Sequence, residues 1–128
     1  MPAYTISSDT PIAIAQRQAI AQTITRVHCK LTGAPPSFVS VFFSHGVPIR
    51  RDSSMFVFGN VRKGRDATTN QALSVALRAA ISETHAVAAE SIDLELFEVP
   101  ASWLMEHGRI VPEPGEEEAA GWLVPAHG

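Results

Sequence analysis

Residues 55–97 read MFVFGNVRKGRDATTNQALSVALRAAISETHAVAAESIDLELF, and their periodicities decide the fold. Met55-Phe56-Val57-Phe58 is a bulky apolar run of strand type. From Asp66 to Ala86 the spacing changes: Leu73, Ala76, Leu77, Ala80 and Ile81 recur on one face of a helix. Asp66 or Thr68 stands where that helix needs a cap. Ile92-Asp93-Leu94-Glu95-Leu96 then alternates with period two, as a strand with one buried face does, so Glu95 shares a side with Asp93 and opposes Ile92, Leu94 and Leu96. Strand, helix and strand at these lengths form a β-α-β unit, whose crossover is right-handed and lays the helix on a sheet.

Upstream the same order recurs. Ala3 to Ser8 reads as a strand. In Asp9-Thr10-Pro11, Thr10 suits a cap and Pro11 a first helical position. Ala15, Ala19, Ile20, Ile24, Val27 and Leu31 mark a helix within 12–32. Gly33 ends that helix, and Pro35-Pro36 prevent its return. Phe38 to Phe43 reads as the next strand, and a turn-rich segment from His45 to Ser54 contains Gly46, Pro48 and Asp52. Phe43 and Phe97 stand about 54 residues apart, a spacing suited to a duplicated unit. The expected architecture is α+β and a single domain over 1–128. It has two consecutive β-α-β units, about 2–44 and 55–99, forming a four-stranded sheet with two helices on one face, and a tail from about 100 to 128. A parallel-rich sheet is normally covered on both faces, so neighbouring subunits are expected on the other.

The chain has 128 residues, 45% hydrophobic and 18% charged, with ten Lys and Arg against thirteen Asp and Glu. That composition is globular, and the chain is short enough for oligomerisation to help it bury surface. The basic stretches Arg50-Arg51 and Arg62-Lys63-Gly64-Arg65 are too short for a nucleic-acid binder. The single cysteine, Cys29, excludes an intramolecular disulfide. Neither a signal peptide nor a membrane span is read, and a soluble cytoplasmic protein is expected.

Several residues have chemical potential. Pro2 becomes a terminal secondary amine once Met1 is removed. A free α-amino group titrates near 8; burial and nearby arginines lower that value, and a carboxylate raises it. Such an amine serves either proton-transfer role near neutral pH. Arg62 and Arg65 flank Gly64 at a helix start, where paired guanidinium forks and the helix dipole suit a carboxylate; a solvated charged turn is the plain alternative. His28, near the end of the first helix, is either an exposed polar residue or a site residue that needs a partner nearby. Glu106, in Glu106-His107-Gly108-Arg109, reads as part of a short helical turn leading into an irregular tail; its carboxylate either holds a water or is simply exposed. His45, His85, His107 and His127 lack metal-ligand spacing, so neither metal nor cofactor is implied. Trp103 and Trp122 read as interface or packing aromatics, and the run Glu116-Glu117-Glu118 as solvated.

Together, Pro2, His28 followed by Leu31-Thr32-Gly33, Arg62-x-Gly-Arg65, and Glu106-x-Gly-Arg109-x-x-Pro112-x-Pro114-Gly115 resemble cis-3-chloroacrylic acid dehalogenase and its homologues. That group lies in the tautomerase superfamily, with 4-oxalocrotonate tautomerase and macrophage migration inhibitory factor as more distant members. The resemblance covers about residues 2–115. It implies a homotrimer with proline sites near subunit contacts, Pro2 as the proton-transfer group, Arg62 and Arg65 as holders of a substrate carboxylate, His28 as an aid to carboxylate or water, and Glu106 as activator of water.

Three departures qualify it. Glu95 stands where the group has an active-site tyrosine, Ala34 replaces a threonine, and the segment between the second and third strands is shorter. The expected activity is enol–keto tautomerisation of small unsaturated or α-keto carboxylates, with weaker hydration or hydrolytic dehalogenation of 3-substituted acrylates. The competing readings are a trimeric binding or signalling protein with a vestigial proline site, and a generic ferredoxin-like binding module.

Overall fold

A computed structural model describes residues 2–46 and 50–122. Pro48 and His127, both considered above, lie outside the described residues, as does Met1. The main elements are β1 (Ala3–Ser8), α1 (Ile14–Thr32), β2 (Ser40–His45), β3 (Met55–Arg62), α2 (Ala67–His85) and β4 (Ile92–Val99). A short hairpin follows, β5 (Met105–Glu106) and β6 (Arg109–Ile110). The four long strands form one sheet in the order β2-β1-β3-β4. β1 runs parallel to β2, β3 parallel to β4, and the two pairs meet where β1 lies antiparallel to β3. Each β-α-β unit thus supplies one parallel pair, as the duplicated pattern predicts.

Period-two alternation sorts the strands into two faces. Tyr4 and Ile6, Met55, Val57 and Val61, and Ile92 and Leu94 are buried against the helices. Ile20 and Ile24 of α1, and Leu73, Leu77 and Ile81 of α2, complete that core. Between the helices, the hydroxyls of Thr23 and Thr84 hydrogen-bond at 2.9 Å, satisfying a polar pair in an apolar contact. The opposite sheet face has no helix. There Phe56 and Phe58 stack at 6.3 Å between ring centroids, and Phe58 and Phe97 at 6.4 Å. Phe97 and Phe42 are 57% and 59% exposed. Among the described residues, no helix is long and apolar enough to cross a membrane.

Local signals mostly act as expected. Asp66 caps α2 by accepting a hydrogen bond from the Thr69 N–H at 2.7 Å. Gly33 closes α1 at φ 76°, its N–H bonded to the Cys29 carbonyl at 2.9 Å. Three expectations fail. α1 begins at Ile14 behind an extended Ala13, so neither Thr10 nor Pro11 occupies the predicted cap; the Thr10 carbonyl instead accepts a bond from the Ser8 hydroxyl at 2.7 Å. Phe38 belongs to a 3₁₀ turn, Pro36–Phe38, because the adjacent prolines fix φ, and β2 starts at Ser40. Residues 105–110 form a hairpin rather than a helical turn, since His107 and Gly108 both take positive φ (53° and 73°) and close a two-residue connection.

Candidate active site

The site is built at the end of the sheet where β1 begins. Pro2 is buried, and its carbonyl accepts a hydrogen bond from the Ser40 N–H at 3.1 Å. Ala3 pairs antiparallel with Asn60. Continuing that register by one residue sets Pro2 level with Val61, next to Arg62, the last residue of β3. The loop through Gly64 then carries Arg65 to the foot of α2. Gly64 is required there: at φ 116°, an added Cβ would lie 3.2 Å from the Pro114 ring.

Tyr4 is two residues beyond Pro2 and so shares its side of the strand. Its hydroxyl lies 2.7 Å from His28 Nδ1, and both side chains are fully buried. The alternative that placed His28 on the exposed side of α1 is therefore overturned, and its partner is Tyr4. The end of α1 is pinned beside it: the Thr32 hydroxyl donates to the His28 carbonyl at 2.7 Å and accepts from the Ala34 N–H at 3.2 Å. Burial, assisted by Arg65 and Arg62, brings the imidazole pKa down to about 3. Burial also pushes the Tyr4 phenol well above its ordinary value, against the opposing pull of Arg65. Both groups are therefore neutral near pH 7. With the imidazole proton on Nε2, the phenol donates to Nδ1, and the buried Nε2–H has no partner among the described residues.

The two arginines differ. Arg62 is 4% exposed and already engaged. Its Nη1 donates to the Pro112 carbonyl at 2.6 Å, and its Nη2 to Glu117 Oε1 at 2.5 Å. The second carboxylate oxygen of Glu117 accepts from the Gly115 N–H at 2.8 Å. Burial raises the pKa of this carboxyl, but the bonds from Arg62 and the backbone outweigh it, and the net shift is downward. The expectation that 116–118 is simply solvated fails at Glu117, because Arg62, at the end of β3, supplies a countercharge that sequence spacing does not reveal. Arg65 is half-buried; its backbone bridges Lys63, and its side chain makes no hydrogen bond or ion pair with another described residue. Burial and the nearby Arg62 charge lower its pKa, opposed by Glu117 and Tyr4. It stands within electrostatic reach of Tyr4 and His28.

Glu106 lies half-buried on β5, paired with Arg109 of β6. That hairpin leads into the tail that reaches Arg62 at Pro112 and Glu117. Arg109 holds the tail's far end, stacking on Trp122 at 5.1 Å and donating to the Ala120 carbonyl at 3.3 Å. Trp122 is thus a packing aromatic, whereas Trp103 is exposed. Glu95 is set apart. It lies opposite Phe58 on the helix-free face, so within one subunit the sheet separates it from Tyr4 and His28. Among the described residues, no group of three or more His, Cys, Asp or Glu side chains is placed to hold a metal ion. Sequence reasoning missed Tyr4 and Glu117. Tyr4 was only one residue of the strand read over Ala3 to Ser8, and its position two residues after Pro2 was the available signal.

Neither a family model nor a curated protein sequence matches this chain. Solved structures do. A protein designated N1, a member of the cis-3-chloroacrylic acid dehalogenase family, superimposes with a TM-score of 0.85 over 96% of this chain and 92% of its own, at 24% identity. Native Ps01740 is 28% identical, with a TM-score of 0.73 over 81% of this chain and 99% of its own. A fused 4-OT solved as an asymmetric trimer gives 0.76 at 15% identity, over 84% and 94%. The architecture read from the sequence is borne out: the chain has the fold of these solved structures, a cis-3-chloroacrylic acid dehalogenase family member among them.

Proposed function

We propose that this chain, freed of Met1, is an enzyme of the tautomerase superfamily in which the Pro2 amine moves a proton on a small unsaturated or α-keto carboxylate. The observation that carries the reading is the convergence at one sheet end of Pro2, the neutral Tyr4–His28 pair and two arginines. Arg65 takes the substrate carboxylate, having no other acceptor among the described residues. The His28 Nε2–H, likewise without a partner there, is available to a substrate oxygen. Burial, which chiefly holds His28 neutral, and the arginine charges that assist it also favour a neutral Pro2 amine, and a neutral amine is a base. In enol–keto conversion that base accepts the enol O–H proton and returns a proton to carbon, while the carboxylate stays on Arg65. The preferred activity is therefore tautomerisation. Hydration or dehalogenation of 3-substituted acrylates is weaker: it needs a protonated Pro2 together with a water activated by Glu106, and a second acid in place of which Glu95 brings a carboxylate.

The protein works as a soluble cytoplasmic homotrimer. The open aromatic face supports the trimer, as do the trimeric neighbours of like fold. Glu95 lies on that face and meets a proline site only across a subunit boundary.

The test compares kcat/KM for phenylpyruvate enol in the processed protein, in Pro2→Ala and in a form that retains Met1. Losing the base should cost on the order of 10²–10⁴-fold. Equal rates in all three would remove the proline reading, and no turnover in any of them would favour a binding protein with a vestigial site. Glu95→Tyr, assayed on phenylpyruvate enol and cis-3-chloroacrylate, should raise dehalogenation relative to tautomerisation.

A further inference from the structure

The tail places a carboxylate on one arm of the anion site. Glu117 Oε1 accepts from Arg62 Nη2, its Oε2 is held by the Gly115 N–H, and the pair is nearly sealed, at 4% exposure for the Arg62 side chain and 17% for that of Glu117. The other Arg62 arm is taken by the Pro112 carbonyl from the same tail. Arg65, three residues on, is half-buried, and its side chain makes no ion pair with a described residue. Arg62, Arg65 and Glu117 feel one another electrostatically, so they form one cluster of two cations and one built-in anion.

We infer that Glu117 is a specificity-determining residue: by neutralising Arg62 it leaves Arg65 as the only uncompensated cation of the pair and so restricts the site to monocarboxylates. The inference rests on the proposed carboxylate site. A single carboxylate is matched by Arg65. A dicarboxylate of similar size would bring a second charge to an arginine already paired, and would have to break the Arg62–Glu117 ion pair and leave the Glu117 charge in a poorly solvated place, a cost that a monocarboxylate avoids. Two arginines flanking a glycine suggest a site for two negative charges; the tail changes that count.

The experiment measures dissociation constants by calorimetry for acrylate and for maleate, which carry one and two carboxylates on the same unsaturated core. It uses the full chain and the variants Glu117→Gln and Glu117→Asp. Gln keeps the size of the side chain and an oxygen to accept from Arg62, and removes the charge. Asp keeps the charge. The ratio of maleate to acrylate affinity should rise about tenfold or more in Glu117→Gln, the size of one newly available charged contact, and stay near the parent value in Glu117→Asp. An unchanged ratio in Glu117→Gln would overturn the inference, as would an equal rise in both variants, which would attribute the effect to loosened tail packing. If the parent protein binds neither acid, the proposed carboxylate site fails before the role of Glu117 is reached.

Discussion

His28 sits where forming a charge is expensive. A histidine of ordinary pKa 6.5 that is held down to about 3 in the folded chain binds fewer protons folded than unfolded across that interval. The stability it contributes is complete above the unfolded value and is lost as pH falls from about 6.5 towards 3. Replacing it by a group that does not titrate should remove that part of the slope. Urea midpoints at pH 7 and pH 4 are expected to fall less in His28→Gln than in the parent, the difference corresponding to about 3 kcal/mol. An identical fall in both would show that protonation of His28 is not coupled to unfolding. The arginines make a second contrast at this scale. Arg65→Ala should cost roughly 2–5 kcal/mol in transition-state binding of an anionic substrate with little effect on folding. Arg62→Ala also strips Glu117 and Pro112 of their donor, so its melting temperature should drop as well. Steady-state kinetics and calorimetry on the two variants separate these roles.

At the scale of elements, the strands govern the site through their spacing. Gly59 of β3 lies opposite Tyr4, and a Cβ built on it would stand 2.6 Å from Tyr4 Cε1 and 2.8 Å from Leu96 Cδ2. No side chain fits there unless the phenol moves. Gly59→Ala is therefore expected to destabilise the chain by about 1–3 kcal/mol and to displace Tyr4 from His28. A chemical-denaturation curve and the loss of the buried tyrosine's near-ultraviolet signal would report the two effects. α2 owes its start to the Asp66 carboxylate, and Asp66→Ala should lower the melting temperature. Because that helix begins two residues after Arg65, fraying it should also weaken carboxylate binding. If binding were untouched, Arg65 would be positioned by the loop alone.

For the whole molecule, the deciding feature is the helix-free side of the sheet, where Phe56, Phe58 and Phe97 stack and Phe42 stands exposed. Aromatic area of this kind on a mixed sheet is expected to be covered by further copies of the chain. Phe97→Asp puts a charge into that ridge and should shift sedimentation from trimer to monomer at micromolar concentration, while far-ultraviolet circular dichroism stays native. A monomeric parent protein would remove the trimer from the proposal.

What the sequence by itself determined was periodicity and local punctuation. Period-two and helical spacings identified both β-α-β units, Gly33 and Asp66 marked ends that the chain uses, and alternation assigned Glu95 to the face opposite Ile92 and Leu94. These readings hold because each depends on neighbours a few residues apart, whose relative placement the backbone fixes. Motif likeness supplied Pro2, Arg62 and Arg65. Tertiary structure alone decided the partners. It joined Tyr4 to His28 across 24 residues and Arg62 to Glu117 across 55. Such contacts depend on where whole elements come to rest, and the shared burial that makes a histidine neutral or gives a glutamate its countercharge does not exist until the sheet, the helices and the tail have packed together.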